Sequence, residues 1–595
     1  MLFQAEKIAK AYAPLVAKAS PPSTTPQTDA LLAFASNWFS IDLEKMHTDG
    51  RSVLAYLSPS WSQSETQSGS QPTLWDALAE IGIEAVELKG LRNNKTQVAF
   101  QIDSRFGTEQ EYMELANAAL KKGIHIIGKP LGEVTGKGPD FALALKNTGA
   151  YPELYTMVEV EPQDWNLLPE VKERSLGTNI PWLTVQKLRK MGYVPTHFES
   201  YIKESAWNAT APILGVDQKT RRWIYLRDPK GSPYLDWLNP SFGALRLAAA
   251  DSLYCLLRLG QPILELEELS QNTQETLILT IRKLGGFSAA LTKGGVESLD
   301  GCTDVTYDHL TPMACLHALT AQDAEAIRMI YDLLLEQNIQ PNRLVHALEP
   351  FGRLPNDWAE FIHSPKKKHT YKEKEITGGE LRTQLLREDI FRLKDEKKEG
   401  LSWQSVPPIY PKIILCETDK RNDQILALHL NLAKFFAFQP GVFSLSSEDL
   451  LGALPKQTTI DLLGKNSDCL YSCAPNQLAN PYSFASQLKK ILRVRKDLDL
   501  KNGKLIETIR TEKKGLLLLR LELRKERMTA LLAMNFSQEP VIETLESYSY
   551  ARKTAIDPMT GMAENKSFDS SFFELKMAPL TTKLLVFQPK YTPPK

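Results

Sequence analysis

A chain of 595 residues is long enough for roughly two to four domains, one of them a barrel of about 250 residues or more with a well-buried core, so a single small module is excluded. Lysine and arginine together number 71 and aspartate and glutamate also 71, so no global field draws the chain to nucleic acid or to an anionic membrane, and a neutral or small-molecule partner fits better. The N-terminal stretch is broken by Lys7, Lys10 and Lys18, no window approaches the ~18 apolar residues of a membrane span, and Cys255, Cys302, Cys315, Cys416, Cys469 and Cys473 form no CxxC pair, which together point to a cytoplasmic protein with reduced thiols.

Residues 1–20 read as a helix, and SPPSTTPQTD (20–29) breaks it before a second helical stretch over 30–47, giving a helical N-terminal extension over 1–50. From there short apolar strands alternate with amphipathic helices. SVLAYL (52–57) is expected as a strand, followed by a helix over 73–82, a strand over 83–88, a helix over 111–123 and the strand IHIIG (124–128). The rhythm lapses over 129–240, where Gly, Pro and Trp are frequent, and this stretch is expected as an irregular inserted lobe with a hairpin. It resumes with a helix over 244–259, PILEL (262–266), a helix around 272–284, GGFSAAL (285–291), a helix over 321–337, RLVHAL (343–348), a helix over 424–437 and GVFSLS (441–446). This alternation predicts a parallel α/β barrel over 51–500. Residues 364–400, dense in Lys, Glu and Arg, read as a solvated helical insertion, and the strands of 501–595 read as a β-sandwich.

Three carboxylates, Glu265, Glu267 and Glu268, close the strand at 262–266, and acidic residues at the carboxyl end of a barrel strand usually mean chemistry. Their bland reading is a solvated acidic rim neutralised by nearby cations. Trp165, Trp207, Trp223 and Trp237 in and around the lobe have the side chains to stack on sugar rings, and their bland reading is the lobe's own core. His346 reads as a satisfied core histidine. The histidines form no HExxH array, and the Gly-rich pieces TGKGPD and LTKGG lack a nucleotide-loop context, so neither a metal nor a cofactor is expected.

Several segments together resemble trehalose synthase-like members of glycoside hydrolase family 13, the α-amylase superfamily. They include LWDALAEIGIEAVEL (74–88), IDSRFGTEQEYMELANAALKKGIHII (102–127), TGKGPDFALA (135–144), WNATAPILGVDQKTRRWIYL (207–226), NLAKFFAFQPGVFSLSSEDLLGAL (431–454) and LLAMNFSQEPV (531–541). The resemblance implies a (β/α)8 barrel with a lobe inserted after its third strand and a C-terminal antiparallel β-sandwich. It also implies retaining chemistry, in which one carboxylate attacks the anomeric carbon and a second, roughly 5–5.5 Å away, protonates the leaving oxygen.

Matched residue by residue, the resemblance places Gly128 at the third strand's Asp and Val134 at the His that follows it. On the fourth strand Glu265 stands at the family's Arg and Glu267 at its nucleophilic Asp. Leu291 stands at the acid–base Glu of the fifth strand, where Glu297 is the nearest carboxylate, and Pro350, Phe351 and Gly352 occupy the seventh strand's Asn-His-Asp run beside Glu349. A Glu nucleophile is chemically possible, but an anion in place of its cationic neighbour disfavours ionisation and removes the group that orients attack. The leading expectation is therefore a catalytically degenerate protein of α-glucan or trehalose metabolism that binds carbohydrate or another protein. The competing one is an active α-glucosyl hydrolase, transferase or maltose/trehalose isomerase built around Glu267. A third, an interaction protein with no sugar site, expects the barrel mouth to be filled by Phe351, Leu291 and the 364–400 insertion.

Overall fold

A computed structural model describes residues 35–46, 52–57, 73–92, 102–130, 139–149, 151–173, 175–194, 206–227, 233, 249–266, 277–282, 284–292, 294–301, 303–347, 358–392, 421–446, 478–525, 528–546, 553–564 and 572–589. They fall into two compact units, one within the spans 90–109 and 128–287 and the other within 23–89, 110–127 and 288–595.

The barrel begins earlier than expected, with β1 (Asn37–Asp42) inside the stretch read as a helix. NWFSID is buried almost throughout, as a strand of a closed barrel is, so it lacks the alternation that would mark it as β structure. The expected strand SVLAYL is instead a short helix, α1 (Val53–Leu57), because Ser52 Oγ accepts the Ala55 N–H and caps it. Helix α2 (Leu74–Ile81) starts at a capping box between Thr73 and Asp76 and stops at Gly82, whose φ of 104° only glycine adopts without strain. Strand β2 (Ala85–Lys89), helix α3 (Glu109–Lys121) and strand β3 (His125–Gly128) follow as expected. Trp38 registers with Ala85, and Val86 with Ile126, all parallel.

The inserted lobe is more regular than its composition promised. After α4 (Pro139–Leu145) come β4 (Met157–Val160), β5 (Thr178–Asn179), helix α5 (Trp182–Lys190), β6 (Trp207–Ala209), β7 (Ile213–Leu214) and β8 (Thr220–Leu226). The strands form one five-stranded antiparallel sheet in the order β4-β8-β6-β5, with β7 pairing β8 as the expected hairpin. Val185 and Leu188 of α5 pack on Val160, Trp207, Ile224 and Leu226 of the sheet. Trp207 and Trp223 are buried and Trp165 packs on the same core, with the Trp223 indole donating to Leu145 O and the Trp165 indole to Val160 O. These three tryptophans hold the lobe together, and Trp237 lies outside the described residues.

A helix over 249–258, ending in the π-helical turn Tyr254–Arg258, leads back to the barrel and β9 (Ile263–Leu266). Its buried Asp251 pairs with Arg92 at 2.8 Å, and the same guanidinium donates to Cys255 Sγ at 3.1 Å. Burial pushes the Cys255 thiol up to about 12, so it is inert. Cys315 is likewise a buried free thiol, and the other four cysteines lie outside the described residues.

After β10 (Phe287–Ala290) comes a barrel strand that the sequence pattern did not reveal, β11 (Val305–Tyr307). It spans three residues between Asp304 and Asp308, so DVTYD reads as a turn. Both carboxylates are nevertheless buried and satisfied, Asp304 by the Ser288 N–H and hydroxyl and Asp308 by the Leu310 and Thr311 N–H groups. Helices α6 (Thr311–Ala321) and α7 (Glu325–Glu336) then lead to β12 (Leu344–Ala347).

The charged insertion is not wholly helical. After α8 (Ala359–His363) it opens with a hairpin, β13 (Lys368–Tyr371) and β14 (Lys374–Thr377), before helix α9 (Gly378–Arg392). It packs on the outer helices α6 and α7, where Lys372 pairs with Asp323 at 3.1 Å and Glu388 lies 3.4 Å from His317. Of the other residues that the interaction-protein reading expects in the barrel mouth, 393–400 and Phe351 lie outside the described residues.

Helix α10 (Arg421–Ala437), strand β15 (Val442–Ser446) and helix α11 (Phe484–Asp497) complete a closed barrel in the order β1-β15-β12-β11-β10-β9-β3-β2. The fully buried Arg495 donates to the carbonyls of Ala437, Gln439 and Gly441 and to Asn37 Oδ1, tying α11 to β1 and to the end of α10. The C-terminal strands are β16 (Lys504–Thr508), β17 (Leu516–Glu522), β18 (Thr529–Asn535), β19 (Val541–Glu546), β20 (Lys553–Asp557), β21 (Met562–Ala563), β22 (Phe572–Met577) and β23 (Thr582–Pro589). They form a six-stranded antiparallel sheet, β16-β17-β18-β23-β20-β21, and a two-stranded one, β19-β22. Leu518, Leu531, Leu585 and Phe587 of the first meet Val541, Leu545, Phe573 and Leu575 of the second, which makes the expected sandwich. Among the described residues no helix is long and apolar enough to cross a membrane.

Candidate functional site

Strands β3 and β9 bring together one group of the residues singled out from the sequence. Gly128 ends β3 with no room for a side chain: a Cβ there would lie 2.3 Å from Gln261 Oε1 and 2.9 Å from Leu264 Cδ2. Gln261 is itself buried, with its backbone N–H donating to Cys255 O, and Leu264 is buried within β9. The place matched to the family's third-strand Asp is filled by the amide of Gln261.

Glu265, matched to the family's Arg, sits on β9 with its side chain 1% exposed, so the expected solvated rim is corrected at this residue. Its carboxylate pairs with Lys129 Nζ at 3.4 Å, and Lys129 is the residue immediately after Gly128. Burying a carboxylate is costly unless it is paired or hydrogen-bonded, and Lys129 is a cation that pairs with it. The pair thus puts the anion on the fourth barrel strand and the cation at the end of the third. Val134, Glu267 and Glu268 lie outside the described residues, as do Glu349, Pro350, Phe351 and Gly352.

The loop after β10 belongs to the other unit. Leu291 follows the strand, partly buried, and offers no proton. Glu297 is exposed on a 3-10 turn (Val296–Leu299). This loop is fixed through its backbone: the buried Glu360 carboxylate on α8 accepts the Val296 N–H at 2.7 Å and the Ser364 hydroxyl at 2.8 Å, and His309 Nε2 meets Gly294 O at 2.8 Å. A Cβ on Gly295 would touch Glu360 Oε2 at 2.5 Å, so the clamp depends on glycine there.

His346 is a satisfied core residue, as expected, with Nδ1 3.2 Å from Asp308 Oδ2 and Nε2 3.3 Å from Pro341 O. Burial by itself would raise the Asp308 carboxyl, but the hydrogen bond and charge of His346 and the Thr311 donors outweigh it and hold the group below the usual carboxylate range. Its neighbours include Thr311 of α6, while Tyr331 of α7 donates to Gln439 at 2.7 Å. This network binds barrel strands to outer helices. No group of three or more His, Cys, Asp or Glu residues suited to a metal occurs among the described residues.

Sequence reasoning missed Lys129, Gln261, Asp308 and Glu360. Two of them had a signal: Lys129 is the one cation beside the strand end in IIGKP, and Gln261 follows a glycine turn in LGQP. Asp308 and Glu360 are recognisable only from burial.

No family model matches the sequence, and no curated protein matches it. The fold does match solved structures. The α-amylase from H. orenii is 12% identical with a TM-score of 0.56, covering 93% of this chain and 100% of that one. The α-amylase from Geobacillus thermoleovorans, complexed with acarbose, is 13% identical with a TM-score of 0.52, covering 96% and 100%. Bacillus licheniformis trehalose-6-phosphate hydrolase is 11% identical with a TM-score of 0.52, covering 93% and 99%. At such identities the likeness is one of fold, and the closed parallel barrel with a C-terminal β domain is the α-amylase architecture.

Proposed function

We propose that this chain is a catalytically degenerate, trehalose synthase-like member of glycoside hydrolase family 13 that binds an α-glucan or disaccharide and acts as a carbohydrate-binding or regulatory protein. The observation that carries the reading is the packing at Gly128, where Gln261 and Leu264 leave no space for a carboxylate. The Glu265–Lys129 pair supports it, since a cation needed to hold a nucleophile ionised is replaced by an anion already engaged elsewhere. Leu291 supports it too, because a retaining mechanism without an acid at that position loses protonation of its leaving group. The acarbose bound by one structural neighbour supports a carbohydrate ligand.

Calorimetric titration with maltose, trehalose, maltooligosaccharides and glycogen, run beside a product assay on the same sugars, tests this. The expected result is binding to at least one of them without turnover. Turnover that disappears in Glu267→Gln would overturn the degenerate reading in favour of an active α-glucosyl hydrolase, transferase or isomerase. Absence of binding to all four would overturn the carbohydrate reading and leave a protein partner as the function of the scaffold.

A further inference from the structure

The inserted lobe carries a surface independent of the barrel chemistry. Helix α5 turns Val185 and Leu188 into the lobe core, so its opposite side faces outward. There Leu183 is 82% exposed and Trp182 49%, with Met191 at 43% just past the last turn and Leu176 at 54% in the preceding loop. Lys187 and Lys190, four and seven positions beyond Leu183, share its side of the helix and are exposed. Helix α5 contains Lys187, Arg189 and Lys190 and no aspartate or glutamate, in a chain whose charges balance overall.

Projecting leucine and tryptophan side chains flanked by lysines match a surface that offers negative headgroups above hydrocarbon. We propose that this face of the lobe docks the protein onto an anionic lipid bilayer. A side chain as exposed as Leu183 acts as a wedge between headgroups, whereas a protein seat needs a complementary area of about 800 Å² per partner. A second copy is a poor occupant, because a two-fold contact brings this cationic helix face against an identical one that has no carboxylate to offset it. The balanced charge of the whole chain, which argued against membranes, conceals this local concentration.

The test is sedimentation of the full chain with vesicles of phosphatidylcholine alone and of phosphatidylcholine with one-third phosphatidylglycerol. Binding is expected to the anionic vesicles only, and to fall at high salt. Each lysine near such a surface contributes about fivefold in affinity, so Lys187→Gln with Lys190→Gln should weaken binding by about twentyfold or more. Leu183→Glu should weaken it by at least about tenfold, since it removes the wedge and adds a repelled charge. These positions are exposed, so circular dichroism should be unchanged. Equal binding to both vesicles, undiminished affinity in the double glutamine variant, or capture by polyglutamate without any vesicle binding would each overturn the proposal, the last reassigning the face to an acidic protein.

Discussion

Replacing Lys129 by methionine keeps the length of the side chain and removes the charge that faces Glu265. Two unit charges 3.4 Å apart attract by about 5 kcal/mol at an effective dielectric near 20. The lysine side chain is 34% exposed, so solvent takes back roughly half of that or more, and a net loss of about 2 kcal/mol is expected. The loss exceeds that of a surface pair because Glu265 stays buried after its partner has gone. Glu265→Gln removes the charge while keeping the shape, and should rescue Lys129→Met. The double variant is then about as stable as Glu265→Gln alone, which makes the coupling about 2 kcal/mol. Urea denaturation followed by far-UV circular dichroism at pH 7 measures all four corners of the cycle. A coupling below about 0.5 kcal/mol would refute the argument that the buried carboxylate relies on Lys129.

Gly128→Ala should cost about 1–3 kcal/mol by the same assay, because Gln261 and Leu264 must both yield, and Gly128→Asp should cost more by adding a charge to that packed place. Asp308→Asn should destabilise by about 2 kcal/mol at pH 7; since the folded carboxyl lies below its ordinary 3.8, its contribution is full above that value and is lost as pH falls further, so parent and variant curves should converge only under strong acid. His429 is fully buried and burial lowers its pKa to about 4, so below the unfolded value of 6.5 the unfolded chain takes up a proton that the folded one refuses. Its share of stability should fall by about 3 kcal/mol between pH 6.5 and 4, and His429→Leu should flatten that slope; equal slopes would refute it.

Much of the architecture was readable from periodicity. Strands such as PILEL and GVFSLS are apolar runs bounded by turn residues, and helices such as Glu109–Lys121 bury Tyr112, Leu115 and Ala119 while Gln110, Glu114 and Lys121 face solvent. The failures share a cause. NWFSID is buried on both faces and VTY is three residues long, so neither can alternate, and SVLAYL was decided by the Ser52 cap rather than by its apolar residues. Around the candidate site, Gly128, Glu265 and Leu291 were singled out by position along the resemblance. What they do there could not, because the amide that fills the space at Gly128 comes from a residue well over a hundred positions away, and local pattern carries no trace of it.

The filled corner at Gly128 behaves as a ratchet. Placing aspartate there alone forces it against Gln261 and Leu264, and placing arginine at 265 alone sets it against Lys129. Each of these substitutions toward the pattern that the resemblance implies is therefore disfavoured until the others have been made. A designer wishing to install glycosidase chemistry on this scaffold would do better to change residues 128, 129, 261, 264 and 265 together than one at a time.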